Sequence, residues 1–232
     1  MFSHTENPVL LDVLNCTDSD RDNEANAWYE NIYLPYLLSL GGVLTAQRYT
    51  CAYQRAGKPH YTKAQYINAY EVGSRYKDTD AAILKQAPSH IDMPLKGVFA
   101  PLGELRRRAT QTDSPVVATL VVISNCADAE RLAEFNEWYD SVHLSSMLSV
   151  PGVVSARRYQ CVHQTRGRSQ YMAVYDVDTA DYGTLDHDLK AMLARQKAER
   201  LRPEPELNDP IVSNFYVPMG DRRLARDPKR QA

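Results

Sequence analysis

The residue in this sequence best suited to moving a proton is His143, within the segment FNEWYDSVHLSSMLSV. Histidine is the side chain whose ordinary titration falls near neutrality. On a helix, His143 would lie about 40° from Tyr139 and about 20° from Asn136 in projection. That places it at the edge of an apolar stripe containing Leu132, not on the solvated back. Asp140 stands three residues earlier, where it could reach the imidazole. A neighbouring carboxylate orients the ring and raises its pKa, which suits a general acid/base. The expectation is His143 as acid/base with Asp140 as its orienter. The same spacing also fits a histidine packed between helix and sheet.

Arg48 and Arg158 stand at matching places in two strand-like stretches, each two residues after an alanine on the same face. Either guanidinium could clamp a carboxylate, phenolate or enolate oxygen, or form a rim ion pair. Arg158 joins His143 and Asp140 as a catalytic candidate, stabilising developing negative charge. Tyr66, Tyr70, Tyr171 and Tyr175 alternate along two further strands. With Tyr139, Tyr33 and Arg48 they form the candidate substrate-binding set, although ordinary strand packing explains the tyrosines as well. The chain holds 15 Tyr against 4 Phe. A hydroxyl on a large apolar ring wants a partner when buried, which fits a polar-lined cavity.

These residues come in pairs because the chain repeats. A shift of 110 lays Asn26–Cys51 over Asn136–Cys161, and 12 of those 26 positions are identical. The pairs Trp28/Trp138, Gly42/Gly152, Arg48/Arg158 and Cys51/Cys161 are among them. Asn15-Cys16 likewise meets Asn125-Cys126, and Gln65-Tyr66 meets Gln170-Tyr171. The polar stretch 104–114 reads as the joint, with repeats over 1–108 and 109–232. In the second repeat, Val116–Ile123 is a strand buried on both faces. Asp128–Ser149 has a helical period that Pro151-Gly152 ends. Val153–Val162 and Gln170–Val177 are strands, Ala180–Arg200 is a helix, and Ile211–Val217 is a last strand. The first repeat follows suit, with a shorter second helix near 80–86. The order β-α-β-β-α-β is the ferredoxin-like motif. It leaves one sheet face bare, so the fold class expected is α+β, two such repeats packed as an intramolecular barrel.

The segment from Phe135 to Tyr159, W-Y-x-x-x-H leading into P-G-x-x-x-A-x-R-Y, resembles the dimeric α+β barrel superfamily, and within it the EthD-like branch. The first repeat resembles the same pattern, with Tyr33 at the place of His143 and Gly41 at that of Pro151. The resemblance implies a small-molecule substrate in the barrel cavity. It spans cofactor-independent isomerases, lyases, cyclases and monooxygenases, haem peroxidases, and proteins without known activity. Fold therefore does not settle function. The expectation is cofactor-independent proton transfer on a partly hydrophobic, oxygenated substrate. The alternatives are a cofactor-free monooxygenase and a non-catalytic ligand-binding or stress-associated barrel. No axial haem ligand can be assigned.

A net charge of −2 gives no general pull toward nucleic acid or anionic membrane. No apolar run spans a bilayer, and no signal-peptide stretch opens the chain; a cytoplasmic monomer or homodimer is expected. The four cysteines and six histidines lack metal-ligand spacing, so neither metal nor cofactor is expected. Trp28 and Trp138 read as packing anchors. Arg106 to Arg108, Arg222-Arg223 and Lys229-Arg230 read as solvated linker and tail.

Overall fold

The first strand, β1 (Val9–Cys16), is buried at every position, and so is β5 (Ala118–Cys126) in the second half. A strand that buries both faces needs cover on both sides. The computed structural model, which describes residues 4–55, 63–77, 81–109 and 114–225, shows where that cover comes from. The first half continues through α1 (Asp22–Trp28), α2 (Leu34–Ser39), β2 (Val43–Gln54), β3 (Tyr66–Val72), α3 (Ala81–Leu84) and β4 (Ile91–Arg107). The second continues through α4 (Leu132–Trp138), α5 (Leu144–Leu148), β6 (Val153–Arg166), β7 (Tyr171–Val177), α6 (Tyr182–Ala198) and β8 (Asn208–Leu224).

The strands close into one antiparallel barrel of order β1-β3-β2-β8-β5-β7-β6-β4. Each half supplies four adjacent strands, and the halves are sewn together by β2 on β8 and β4 on β6. Side chains alternate between the two faces. One set, including Val9, Leu11, Tyr49, Phe99, Tyr159, Met172 and Tyr216, draws on both halves and fills the barrel interior. The other faces meet helices: Leu10, Leu14, Ala46 and Tyr70 under the first half's helices, Leu120, Ala156 and Tyr175 under the second's.

The repeated polar motifs are structural clips. The Asn15 carboxamide accepts from the Gln65 backbone N–H at 2.8 Å, and the Gln65 side chain accepts from the Cys16 N–H at 3.1 Å. Asn125, Gln170 and Cys126 make the same exchange at 3.0 and 2.6 Å. Gly42 and Gly152 sit at φ of 101° and 92°, where a side chain is strained. A Cβ on Gly42 would lie 2.2 Å from the Tyr76 backbone nitrogen.

Two expectations change. Residues 104–107, read as linker, continue β4, with Arg106 opposite Ala156 and Arg107 opposite Ser155. Arg222 and Arg223, read as tail, lie in β8, where Arg223 pairs in register with Ala46. Backbone pairing needs no apolar side chain, so polar strand ends carry no hydrophobic signature. Lys229 and Arg230 fall outside the described residues. Among the described residues, no helix is long and apolar enough to cross a membrane.

Candidate functional site

In both halves the helix over the sheet is interrupted by a π-helical turn, Tyr29–Tyr33 and Tyr139–His143. Such turns recur at functional sites. Each turn presents a tyrosine to a strand tyrosine, Tyr29 to Tyr70 and Tyr139 to Tyr175, hydroxyl to hydroxyl at 3.0 Å. Burial pushes all four phenols upward, so they remain protonated and act as neutral hydrogen-bond groups. Beside each pair an arginine rises from the sheet. Arg48 has its guanidinium carbon 4.2 Å from the ring centres of both Tyr29 and Tyr66. Arg158 lies 4.2 Å from Tyr139 and 5.1 Å from Tyr171.

The two arginines then part company. Arg158 donates to the Asp140 carboxylate at 2.8 Å and to the Asn136 carbonyl oxygen at 2.7 Å. Arg48, 3% exposed, finds no hydrogen-bond acceptor among the described residues for Nε, Nη1 or Nη2. Glu30, at the position matching Asp140, turns outward to Arg223 at 3.7 Å. Asn26, matching Asn136, gives its amide to Asp22 and Tyr66, and its oxygen is unpaired. A buried, unpaired charge is expensive; the two aromatic rings offset part of that, about 1–2 kcal/mol each when desolvated. Arg48 helps to wall a cleft of about 180 Å³, together with Tyr29, Leu34, Ala46, Met219 and Asp221, while its guanidinium nitrogens are themselves sealed from solvent.

Beneath the first-half helices lies a polar group that the sequence reading missed. Asp12, fully buried on β1, accepts from the Asn68 amide at 2.5 Å and from the Tyr33 hydroxyl at 3.4 Å. Lys96, also fully buried, is Asp12's register partner on β4. At the matching places the second half has Val122, Ala173 and Ser213. The signal was present: an aspartate inside the apolar run VLLDVLNC, and a lysine between Leu95 and Val98. Comparing the repeats for charge at core positions would have found both.

His143 is placed differently from expectation. It is 5% exposed and packs on Trp138 and Tyr139, with ring centres 4.8 and 4.7 Å away. Burial, with the positive charges of Arg202 and Arg158 added, holds its pKa down to about 3, and Gln196 offsets only part of this. The expected rise toward neutrality is therefore reversed. Asp140 serves Arg158, because the π turn rotates residues three apart away from each other. Tyr171 bonds the Asn136 amide at 3.0 Å, and Tyr66 donates to Asp22 at 2.7 Å. Trp28 and Trp138 are buried in the helix–sheet layers. Among the described residues, no group of three or more His, Cys, Asp or Glu side chains is placed to hold a metal. Among the described residues, no histidine lines the cleft.

No family profile and no curated protein matches the sequence. Solved structures match in fold. An anthrone oxidase-like protein superposes with a TM-score of 0.61 at 9% identity, over 97% of this chain and 95% of that one. A chlorite dismutase variant from Candidatus Nitrospira defluvii gives 0.55 at 11%, over 94% and 93%. A second variant, in complex with cyanide, gives 0.52 at 10%, over 94% and 92%. The chain is thus an antiparallel α+β barrel of the kind these proteins share, and at such identities the likeness is one of fold.

Proposed function

We propose that the protein is an enzyme acting on a small oxygenated acid, with its working site in the first half at Arg48. In this reading residues 1–108 and 109–232 are ferredoxin-like repeats of one duplicated, EthD-like unit, acting in the cytoplasm as a monomer or homodimer. Arg48 holds a carboxylate, or an oxyanion developing beside it, through charge-assisted hydrogen bonds. Asp12, which Asn68 and Tyr33 hold in place, is the acid/base of this site, and the Tyr29–Tyr70 hydroxyl pair beside Arg48 offers neutral hydrogen-bond donors to the substrate. The outcome is proton abstraction next to a carbonyl, the step shared by isomerisation, elimination and cyclisation. His143, Asp140 and Arg158 are assigned to packing of the second half.

The observation that carries this reading is the buried guanidinium of Arg48, without an acceptor among the described residues, in a residue that helps to wall a cleft. The test is exchange of the methylene protons of phenylpyruvate, an enolisable aromatic 2-oxo acid, in D₂O. The protein should accelerate exchange over buffer, by a factor of ~10² or more for a working acid/base pair. Arg48→Met and Asp12→Asn should each remove the acceleration. Equal exchange by wild type and Arg48→Met would sink the proposal.

A second reading shares the site. The fold neighbour described as anthrone oxidase-like favours a cofactor-free monooxygenase, in which the anion held at Arg48 is the electron-rich species that meets O₂. Oxygen uptake with an electron-rich phenol, dependent on Arg48, would select it.

A further inference from the structure

Among the described residues, the first half's helix layer is shorter and leaves apolar surface exposed. In the second half, α6 runs for 17 residues and buries Leu185, Leu189 and Met192 against the end of α5 and the start of β6. A Cβ on Gly152 would lie 3.5 Å from Leu185. The matching helix of the first half, α3, has four residues. A Cβ on Gly42, the position matching Gly152, would lie 2.2 Å from the Tyr76 backbone nitrogen, so the segment at Arg75 and Tyr76 covers this turn where the second half uses a helix. What is left is a groove of about 1070 Å³ floored by Leu38, Leu40, Val43, Leu44 and Leu224. Leu44 is 41% exposed and Leu224 is 71% exposed. The two strands meet there, where the Ala225 N–H donates to the Leu44 carbonyl at 2.9 Å.

The groove is continuous with the Arg48 cleft. Glu30, Leu34 and Arg223 wall both. A buried cation at one end and an uncovered aliphatic channel at the other describe one ligand with two parts. The rings of Tyr29 and Tyr66 lie against the guanidinium, and its three nitrogens, sealed from solvent, have no acceptor among the described residues, so a carboxylate reaches its in-plane N–H edge by entering from the cleft that Arg48 helps to wall. That edge matches the two coplanar oxygens of a carboxylate. We propose that the substrate is an amphipathic carboxylic acid, its head on Arg48 and its aliphatic tail along the Leu38–Leu40–Leu44–Leu224 groove. This rests on the reading of Arg48 as an anion site and adds the chain that the acid must carry.

Calorimetric titration with straight-chain carboxylates from butanoate to dodecanoate, each below its micelle concentration, tests it. Binding should tighten about threefold to fourfold with each methylene that enters the groove. In the Leu44→Asp/Leu224→Asp double variant that dependence on length should flatten. Both positions are exposed, so the variant should fold, and its thermal midpoint checks this. Arg48→Met should lose dodecanoate, and 1-dodecanol should bind far more weakly than dodecanoate. Butanoate binding through Arg48 with no gain from longer chains would overturn the tail and leave the anion site standing. Failure of every acid, short ones included, would overturn both. A dimer that the double variant dissociates, with no chain-length dependence in wild type, would assign the groove to a second copy and overturn the proposal.

Discussion

The two halves of this molecule bury the same arginine on the same strand between the same pair of tyrosines, and among the described residues only the second half gives it a counter-charge. In the second half, Asp140 and Asn136 close on Arg158, Phe135 packs beside it with its ring centre 5.7 Å from the guanidinium, and α6 covers the layer. In the first, Glu30 faces outward, Ala25 stands where Phe135 stands, and α3 is described over a single turn, Ala81–Leu84. A duplicated framework thus holds one finished core and one unfinished one. The unfinished half also keeps the buried Asp12, Asn68 and Lys96, where its partner has Val122, Ala173 and Ser213. Buried polar groups are costly unless they are partnered; Asp12 is held by Asn68 and Tyr33, and this cluster has no counterpart at the matching positions of the second half.

The contrast can be attacked from either side. The largest effect is expected at Phe135, which is fully buried. Phe135→Ala should lower stability by about 3–5 kcal/mol in denaturant titration. Ala25→Phe would place a ring beside Arg48 and should weaken benzoate binding at least ~10-fold, a loss read by calorimetry. Unchanged binding in that variant would break the structural equivalence of the two layers.

His143 makes a prediction of sign. Its folded pKa, about 3, lies below the ordinary value near 6.5. The unfolded chain therefore takes up the proton first. Stability contributed by the neutral ring is complete above about pH 6.5 and is lost as pH falls toward 3, at up to about 1.4 kcal/mol per pH unit. His143→Gln should flatten that part of a stability–pH curve. A His143 signal, identified by its loss in His143→Gln, that titrates near neutrality by NMR would contradict the packing role.

The arginines should respond with opposite signs. Arg158→Met removes a buried charge from paired acceptors and should lower stability by about 1–3 kcal/mol. Arg48→Met removes a charge that has no acceptor, and its thermal midpoint should stay level or rise. The smallest effect is Tyr33→Phe, which deletes the 3.4 Å hydroxyl contact to Asp12 and should cost about 1 kcal/mol.

Much of the framework was legible beforehand. The 110-residue repeat lands Asn26–Cys51 and Asn136–Cys161 on the same helices, turn and strand. The Asn15/Gln65 and Asn125/Gln170 repeats turned out to be matching clips. Arg48 was named with its tyrosines, because alternation along a strand fixes which residues share a face. Three things were not legible. An ideal helical wheel brought Asp140 to His143, and a π turn undoes that geometry. Polarity hid the outer ends of β4 and β8, which are held by backbone pairing and polar side-chain contacts. The difference between Arg48 and Arg158 could not be read at all, since Glu30 and Asp140 are both acids and their directions are set by packing.

The most direct measurement is the Nε–H spectrum of the protein labelled with ¹⁵N-arginine, recorded during titration with benzoate. The Arg48 signal, identified by its loss in Arg48→Met, should shift and saturate, while the Arg158 signal stays fixed on Asp140 and Asn136. Movement of Arg158 with Arg48 unchanged, or no movement of either, would contradict the claim that the first half holds the working site.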